Sequence, residues 1–324
     1  MKRIRLPLLL TLIPVMTTCG GNAGSPTSPD PDDGLRDPPP ATLRTVDDAS
    51  LTIRVLQVKS ATGGGGDAVL VADSAGASPW HALLDAGDGS AAAYLAQAGI
   101  DTLDLMVLTH AHHDHYAGMP GVFAGVHVRR FAYNGQVRSA VTYDDVLELA
   151  WAQADTVLVP DEPWTVSLPG GGHVVVMPPL NTWTGIDTDD GEELNEGSLA
   201  IRVEQGEFSF LTTGDGEAES NAHYRTSYPA WVDADAFKVG HHGSTDATDA
   251  SWLDAVTPEV AIVSANGVSH PHGATLSWLS ARTDDLYCTP EHGVVSLLVD
   301  AGGSYAVRTA QDPRIPCGPG TQAR

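Results

Sequence analysis

The sequence predicts an α/β fold, a four-layer αβ/βα sandwich in which two β-sheets pack face to face and helices cover their outer surfaces. Two observations predict it. Apolar segments of strand length alternate with helical segments through two halves of the chain. Several of these strands are followed directly by histidine or aspartate residues, and such strand ends meet at one edge of an α/β sheet. We therefore expect the functional site along one edge of the sandwich.

The first half contains four predicted strands and two predicted helices. The first helix is expected to end before Gly99, because glycine readily adopts the left-handed conformation that closes a helix. The second helix should pack Trp151 against the core. Asp85, after the third strand, either orients a metal-binding histidine or caps a turn. The strands are predicted at residues 51–58, 69–72, 82–85 and 103–109, and the helices at 90–98 and 143–154.

The second half follows an acidic, glycine-bearing loop predicted at residues 181–197. A β-hairpin in this half leads to Asp215, and a later strand leads to His241. His270 is expected to begin the last of the predicted helices. The hairpin strands are predicted at residues 198–203 and 207–212, followed by a strand at 236–239, a helix at 250–256 and a strand at 260–264.

Four potential metal ligands lie within six residues, directly after the apolar strand at 103–109. They are His110, His112, Asp114 and His115. Imidazole nitrogens and a carboxylate suit Zn²⁺ or a similar divalent ion, and ligands of mixed type in close sequence suit two metals that share a site. A solvated, histidine-rich loop is the alternative interpretation.

This HxHxDH pattern resembles that of the metallo-β-lactamase superfamily. Three later segments occur in the order of that family, namely TGD at 213–215, KVGHHGS at 238–244 and SHPH at 269–272. Together they resemble the hydrolase domain of the ComEC competence proteins and the phosphorylcholine esterase domains. The similarity extends over about residues 51–309, with a glycine-rich insertion at 60–65 where the branch usually has a tight turn.

The resemblance implies two divalent metal ions, with Zn²⁺ as the default and Mn²⁺ as the alternative. It implies that His110 and His112 hold the first ion, that Asp114, His115 and His241 hold the second, and that Asp215 bridges them. Many family members add a histidine in a GHTxG context, which this chain replaces with the segment that contains Asn195 and Ser198. Asn195, Ser198, water or substrate would then fill the last position of the first metal.

Further residues are candidates for catalysis or substrate binding. The catalytic candidates are Asp114, which could steer the attacking hydroxide, and His242 and His270, which could bind developing negative charge or protonate a leaving group. Lys238 and His272 are candidates for substrate binding, alongside Asn195 and Ser198. For Lys238 the alternative is a structural lysine at a strand edge.

The beginning of the chain predicts export. Residues 1–18 combine basic residues with a short apolar run, as a signal peptide does. Cys19 resembles a bacterial lipidation site, and ordinary cleavage near Ala23 is the alternative. Residues 19–48 are rich in Pro, Gly, Ser and Asp and predict a flexible tether.

A hydrolase domain at 49–310 and a tail at 311–324 follow, and Cys288 and Cys317 are the candidate disulfide pair of an oxidising compartment.

The charge of the chain bears on its substrate. Lys and Arg number 17 against 41 Asp and Glu, which gives a formal net charge of −24 at pH 7. Nucleic-acid-binding proteins usually present basic patches, so nucleic acid is a disfavoured partner, although acidity can also reflect solubility alone. A small-molecule or envelope-polymer phosphodiester is the expected substrate, and the only expected membrane contact is through the lipid anchor.

Together these features predict a metal-dependent, dinuclear hydrolase exported to the bacterial cell envelope, on its periplasmic or surface side. The resemblance implies that it cleaves a phosphodiester with a metal-activated hydroxide. A lactam, lactone or ester hydrolase is the alternative reaction. From another class, the chain could be a metal-bearing lipoprotein that binds a partner without catalysis.

Overall fold

The computed structural model describes residues 48–58, 66–87, 89–180 and 189–322. The strands are β1 (Leu51–Val55), β2 (Val69–Asp73), β3 (Trp80–Leu84), β4 (Thr102–Leu103), β5 (Leu105–Leu108), β6 (His127–Val128), β7 (Arg130–Tyr133), β8 (Thr156–Leu158), β9 (Trp164–Ser167), β10 (His173–Met177), β11 (Ala200–Gln205), β12 (Phe208–Thr212), β13 (Ala236–Lys238), β14 (Val260–Val263), β15 (Asp285–Cys288), β16 (Val295–Val299) and β17 (Tyr305–Thr309). The helices are α1 (Ser90–Gln97), α2 (His113–Tyr116), α3 (Met119–Gly125), α4 (Val141–Gln153), α5 (Gly191–Glu196), α6 (Ala218–Ser227), α7 (Pro229–Val232), α8 (Ala250–Val256), α9 (Gly273–Ser280) and α10 (Thr289–His292), with a 3₁₀ turn at Gly240–Gly243.

Two large mixed sheets form the framework. The first has the strand order β17-β16-β1-β2-β3-β5-β7-β8, and the second has the order β15-β14-β13-β12-β11-β10-β9. In the first sheet β3, β5, β7 and β8 run parallel, and in the second β12, β13, β14 and β15 run parallel. Because parallel strands end at the same edge of their sheet, the residues that follow them are brought together there.

The core consists of three apolar layers, which explains why β5 is apolar throughout. Leu105 and Val107 pack between the two sheets, whereas Met106 and Leu108 pack against the helices outside the first sheet. Successive side chains of a strand point to opposite faces, so a strand covered on both faces has no polar side. A third layer lies between the second sheet and its own helices. The predicted four-layer sandwich is therefore confirmed.

Two local elements differ from the sequence-based prediction. Helix α5 occupies part of the segment predicted as loop, because the Asp190 carboxylate accepts hydrogen bonds from two backbone N–H groups of its first turn. Helix α9 begins at Gly273, with His272 as its N-cap, so His270 lies before the helix and does not start it. Residues 181–188 of the predicted loop lie outside the described residues.

The prediction for Trp151 is wrong. Its side chain is 64% exposed, while Tyr143, Val146 and Ala150 form the buried face of α4. These three positions are spaced at three and four residues, as one helix face requires, and Trp151 falls outside that spacing. Apolar character alone therefore does not predict that a helix residue is buried.

Several predictions fall outside the described residues. They concern the signal peptide at 1–18, the lipidation of Cys19, nearly all of the tether at 19–48 and the glycine-rich insertion at 60–65. No helix in the described part of the chain has both the length and the apolar composition to cross a membrane.

A disulfide joins Cys288, at the end of β15, to Cys317 in the tail. The tail also bonds to the body of the protein through Nε2 of His292, which lies 2.8 Å from the Ile315 carbonyl oxygen. The Gly320 N–H donates to the Pro271 carbonyl at 2.9 Å. The described residues of the tail therefore pack on the sandwich near the loop that carries His270.

Candidate metal centre

The HxHxDH segment leaves β5 at the edge where the parallel strands end. Asp85, after the neighbouring strand β3, accepts hydrogen bonds at 2.8 Å from both the backbone N–H and the hydroxyl of Thr109. On the other side, a Cβ at Gly66 would overlap the backbone oxygen of Asp114. The connection between β1 and β2 therefore packs directly beneath the segment and fixes its path.

A first cluster consists of His110, His112 and Asp215. Nε2 of His110 lies 2.9 Å from Nδ1 of His112 and 3.9 Å from Oδ2 of Asp215. Burial lowers the pKa of His110 well below its ordinary value and also lowers the pKa of His112. Both imidazoles are therefore neutral at pH 7. Two neutral imidazole nitrogens at this distance can share one proton in a hydrogen bond or turn both lone pairs to a cation.

A second cluster consists of Asp114, His115 and His242. Nε2 of His242 lies 3.2 Å from Oδ2 of Asp114. Nδ1 of His115 lies 2.7 Å from Oδ2 of Asp85, and Nδ1 of His242 lies 2.9 Å from the Ser264 carbonyl oxygen. In both imidazoles Nδ1 is held by an acceptor, which leaves Nε2 to face the cluster. This is the support that metal-binding histidines commonly receive in proteins.

The charges of the second cluster differ from those of the first. Burial acts to lower the pKa of His115 and of His242, but the neighbouring carboxylates together outweigh it, so the pKa of each is raised to about 10. These carboxylates are Asp215 and Asp85 at His115, and Asp215 and Asp114 at His242. Burial acts to raise the pKa of Asp114, but the hydrogen bond from His242 and the positive charges of His115 and His242 together hold it below its usual range. These two imidazoles therefore hold protons that a cation would displace.

Asp215 lies between the two clusters. Its Oδ2 is 3.2 Å from Nε2 of His115 and 3.4 Å from Nε2 of His242, and it also faces His110. Its Oδ1 is buried and has no hydrogen-bond partner. An unused oxygen on a buried carboxylate is costly unless a cation satisfies it. The donor set of nitrogen and carboxylate oxygen atoms therefore fits divalent ions.

Comparison with known proteins decides the family. A sequence model described as the Metallo-beta-lactamase superfamily matches residues 61–268. The chain belongs to this superfamily. The predicted family is thus confirmed, and the two clusters of His and Asp residues are the candidate metal ligands of this superfamily member.

Two curated relatives of this superfamily member are competence proteins or products of a com operon. ComE operon protein 3 of Bacillus subtilis (strain 168) is 27% identical over 205 residues, which cover 62% of this chain and 25% of the relative. Competence protein ComA of Neisseria gonorrhoeae is 26% identical over 243 residues, which cover 70% of this chain and 30% of the relative. The chain therefore spans less than a third of the length of either relative.

Among solved structures, the metallo-beta-lactamase fold protein YhfI from Bacillus subtilis has a TM-score of 0.47 and 14% identity. The likeness covers 73% of this chain and 95% of YhfI. It concerns the fold alone.

The HHGS segment at 241–244 contains two adjacent histidines that face different partners. The sequence-based assignment gave His241 to the second metal, whereas the structure places His242 in that cluster and His241 beside Glu217. Both residues adopt left-handed backbone conformations, with φ of 44° and 52°, at a cost of about 1–3 kcal/mol each. Side-chain directions in such a turn do not follow strand or helix periodicity, so the motif could not show which histidine faces which cluster.

The segment that replaces the third histidine motif of the superfamily is buried. Asn195 donates from Nδ2 to Oε1 of Glu217 at 2.7 Å and lies 3.5 Å from Nδ1 of His241. Ser198 is fully buried, and its hydroxyl accepts the backbone N–H of Asp215 at 3.2 Å. Ser198 thus acts on the backbone beside Asp215, whereas Asn195 holds Glu217 and keeps a buried Oδ1 without a hydrogen-bond partner among the described residues.

Lys238 is also fully buried. Its ammonium group pairs with the Asp67 carboxylate, and burial lowers the pKa of Lys238 to about 7. Oδ1 of Asp67 lies 3.4 Å from Nδ1 of His242. Since a buried ammonium group cannot touch a bound substrate, we reassign Lys238 from substrate binding to support of the second cluster.

His270 and His272 lie at the outer side of the clusters. The His270 ring centroid is 5.5 Å from that of His241 and 5.0 Å from that of His272. Burial lowers the pKa of His270 to about 4, so at pH 7 it can donate a neutral N–H but carries no positive charge. Nδ1 of His272 accepts the backbone N–H of Thr245 at 3.2 Å, which ties His272 to the structure of the HHGS turn.

Sequence reasoning missed two charged residues near the centre. Glu217 contacts His241 and follows the TGD motif by only two residues, which was its one sequence signal. Arg138 donates from Nη1 to the Ala111 carbonyl, between the first two histidines, at 2.7 Å. Nothing in the local sequence distinguishes Arg138, because it comes to the site through the path of the chain after β7.

Proposed function

We propose that this protein hydrolyses a phosphodiester at a pair of divalent cations, with Zn²⁺ as the default metal and Mn²⁺ as the alternative. The observation that carries this proposal is the position of Asp215 between the two clusters. A carboxylate that faces both ligand sets can serve two cations at once, which is the arrangement used for in-line displacement at phosphorus.

The residues of such a site would have different roles. Bound divalent ions would supply a water nucleophile near neutral pH and polarise a phosphoryl oxygen. His110 and His112 are neutral and offer lone pairs without deprotonation. Asp85 and the Ser264 carbonyl hold the imidazoles of His115 and His242 in orientation. A neutral His270 at the outer side can donate a hydrogen bond to an oxygen that gains negative charge.

The position of Arg138 favours an anionic substrate. Its guanidinium lies beside the ligand segment, and its charge acts on the His112 imidazole. Within the described residues the Arg138 guanidinium also forms an ion pair at 3.6 Å with Asp189, whose side chain is 61% exposed. Guanidinium donors match phosphate oxygens in a bidentate manner. We therefore expect Arg138→Ala to raise KM for a phosphodiester more than for a neutral ester.

The overall charge favours a small or envelope-bound phosphodiester over nucleic acid. A formal net charge of −24 repels a polyanion at low ionic strength. The relatedness to competence proteins keeps DNA as the main competitor. Comparing DNA with a small diester at two salt concentrations separates the two substrates.

We also propose that the protein is an exported lipoprotein anchored at Cys19. The sequence of residues 1–19 supports this, and the Cys288–Cys317 disulfide suits an oxidising compartment. Labelled palmitate should be incorporated into the full chain and not into Cys19→Ser. Equal labelling of the two forms would refute the lipid anchor without bearing on the hydrolase.

The proposed activity is tested with a form that begins at residue 47. Hydrolysis of bis(p-nitrophenyl) phosphate is measured with Zn²⁺, with Mn²⁺ and after chelation, and nitrocefin is assayed in parallel. We expect metal-dependent phosphodiester turnover that is absent from Asp215→Ala.

Other outcomes identify the competing functions. Nitrocefin turnover without diester turnover would favour the lactam hydrolase. Two bound metals with turnover of neither compound, nor of DNA, would favour the binding lipoprotein.

A further inference from the structure

The first cluster has fewer nitrogen ligands than a closed site would need. His110 and His112 supply two nitrogens and Asp215 supplies an oxygen. A further imidazole approaches Asp215, because Nε2 of His241 is 3.9 Å from Oδ2 of Asp215. That distance equals the one from Nε2 of His110 to the same oxygen. His241 thus approaches the shared carboxylate much as a known member of the cluster does.

Glu217 controls the orientation of the His241 ring. Its Oε1 lies 3.0 Å from Nδ1 of His241 and also accepts Nδ2 of Asn195 at 2.7 Å. A carboxylate that already accepts one N–H is an acceptor for the imidazole as well, so Nδ1 of His241 carries the hydrogen. The lone pair of His241 is then on Nε2, the atom that faces Asp215.

The surroundings make Glu217 rigid. It is only 8% exposed and directly precedes α6, where its carbonyl accepts the Asn221 N–H at 2.9 Å. A buried carboxylate that makes two hydrogen bonds to site residues is not a solvated surface acid. The left-handed φ of His241 is a second cost that simple packing would not require.

We propose that Glu217 is a positioning residue that, through Nδ1 of His241, presents Nε2 of His241 as the third nitrogen ligand of the first metal position. The superfamily histidine that usually fills this position is replaced in this chain by the segment with Asn195. In this chain Asn195 donates a hydrogen bond to Glu217, and Glu217 orients the imidazole of His241. His241 would then bind the metal ion. This inference rests on the proposed metal site but not on the proposed substrate.

The test is a metal titration that does not depend on turnover. Zn²⁺ is titrated into the metal-free protein against a chromophoric chelator, and Co²⁺ is titrated with detection of its visible absorption. The variants are Glu217→Gln, His241→Gln and the control Glu219→Gln, whose acid is exposed on the same helix. Melting curves are recorded for each.

We expect two ions to bind to the unaltered protein. Glu217→Gln should raise Kd for one ion by about 10- to 100-fold, the usual effect of removing such a support, and leave the other unchanged. His241→Gln should raise Kd for the same ion at least as much and reduce the visible absorption of Co²⁺ bound at that position. Glu219→Gln should change neither Kd. Retained binding of the unaffected ion shows that each variant is folded.

Unchanged Kd values for both ions in Glu217→Gln and His241→Gln would overturn the inference, as would binding of a single ion by the unaltered protein. Failure of the proposed function gives a different result. In that case the titrations behave as expected, but no phosphodiester is hydrolysed.

Discussion

The two clusters use similar ligands but differ in the groups behind them. In the second cluster a carboxylate holds His115 and a backbone carbonyl holds His242, and both imidazoles carry protons. In the first cluster Nδ1 of His110 meets only the Thr109 hydroxyl, at 3.1 Å, and His112 is partly exposed. Because outer support sets ligand orientation and metal affinity, ligand identity alone does not make two sites equivalent. We expect the two sites to differ both in affinity and in the pH dependence of that affinity.

The largest effect should come from the residue that both clusters share. Asp215→Ala removes the carboxylate between them and should reduce metal-dependent hydrolysis by at least about 10³-fold, equivalent to roughly 4 kcal/mol. Metal content and steady-state kinetics measure this loss. Asp254→Asn, at a surface ion pair with Arg282, is the matched control and should retain activity. An active Asp215→Ala enzyme would remove the basis for a shared site.

The next effect distinguishes the two sites. Asp85→Asn weakens the support of His115 and should raise Kd at the second site by about 10- to 100-fold, with a smaller change at the first, which Asp85 reaches only through the Thr109 hydroxyl. Isothermal titration with Zn²⁺ measures both. Asp73→Asn serves as the control, since Asp73 is equally buried but bonds to the backbone of Ala75 and Gly170. If Asp85→Asn affected both sites alike, the clusters would not be independent.

The number of protons released on metal binding should also distinguish the two sites. The pKa of His115 and of His242 is raised to about 10, so between pH 6.5 and 10 both are protonated without metal and must lose their protons on binding. Affinity at the second site should therefore rise with pH, by about tenfold per pH unit for each proton released. His110 and His112 have lowered pKa values, so first-site affinity should change little above pH 6.5. Titrations in buffers of different ionisation enthalpy count the protons, and equal release at both sites would contradict this assignment.

The smallest effect is expected away from both clusters. Trp151→Ser on the exposed face of α4 should change the free energy of unfolding by no more than about 0.5 kcal/mol and leave both metal affinities unchanged. Urea unfolding and the same titrations measure these quantities. A large loss of stability would mean that Trp151 has a partner in solution.

Most of the fold and the identity of most ligand-type residues follow from the sequence. Continuous apolar strands such as β5 predict burial on both faces, and the HxHxDH and TGD motifs lie where parallel strands end. Parallel strands end at one edge of their own sheet, so the position of each motif at a sheet edge could be predicted. His110 and Asp215 follow strands of different sheets, and their meeting was implied by the family resemblance alone.

What could not be predicted depends on contacts between distant segments. The directions of His241 and His242 arise from two left-handed residues in one turn. The role of Glu217 depends on Asn195, which comes from another element, and the burial of Lys238 depends on its pairing with Asp67, far earlier in the chain. Trp151 shows the opposite error, because an apolar residue on a helix was assigned to the core without a test of its spacing.

The tail reaches the same side of the molecule as the metal-ligand candidates. It is bonded covalently to β15 through Cys317, and beyond that bond the Thr321 N–H donates to the Gly267 carbonyl at 3.1 Å. The loop it contacts carries His270. Reduction of the Cys288–Cys317 disulfide would therefore remove the covalent tie between the tail and β15, while the candidate metal ligands, none of which is a cysteine, would keep their donor atoms.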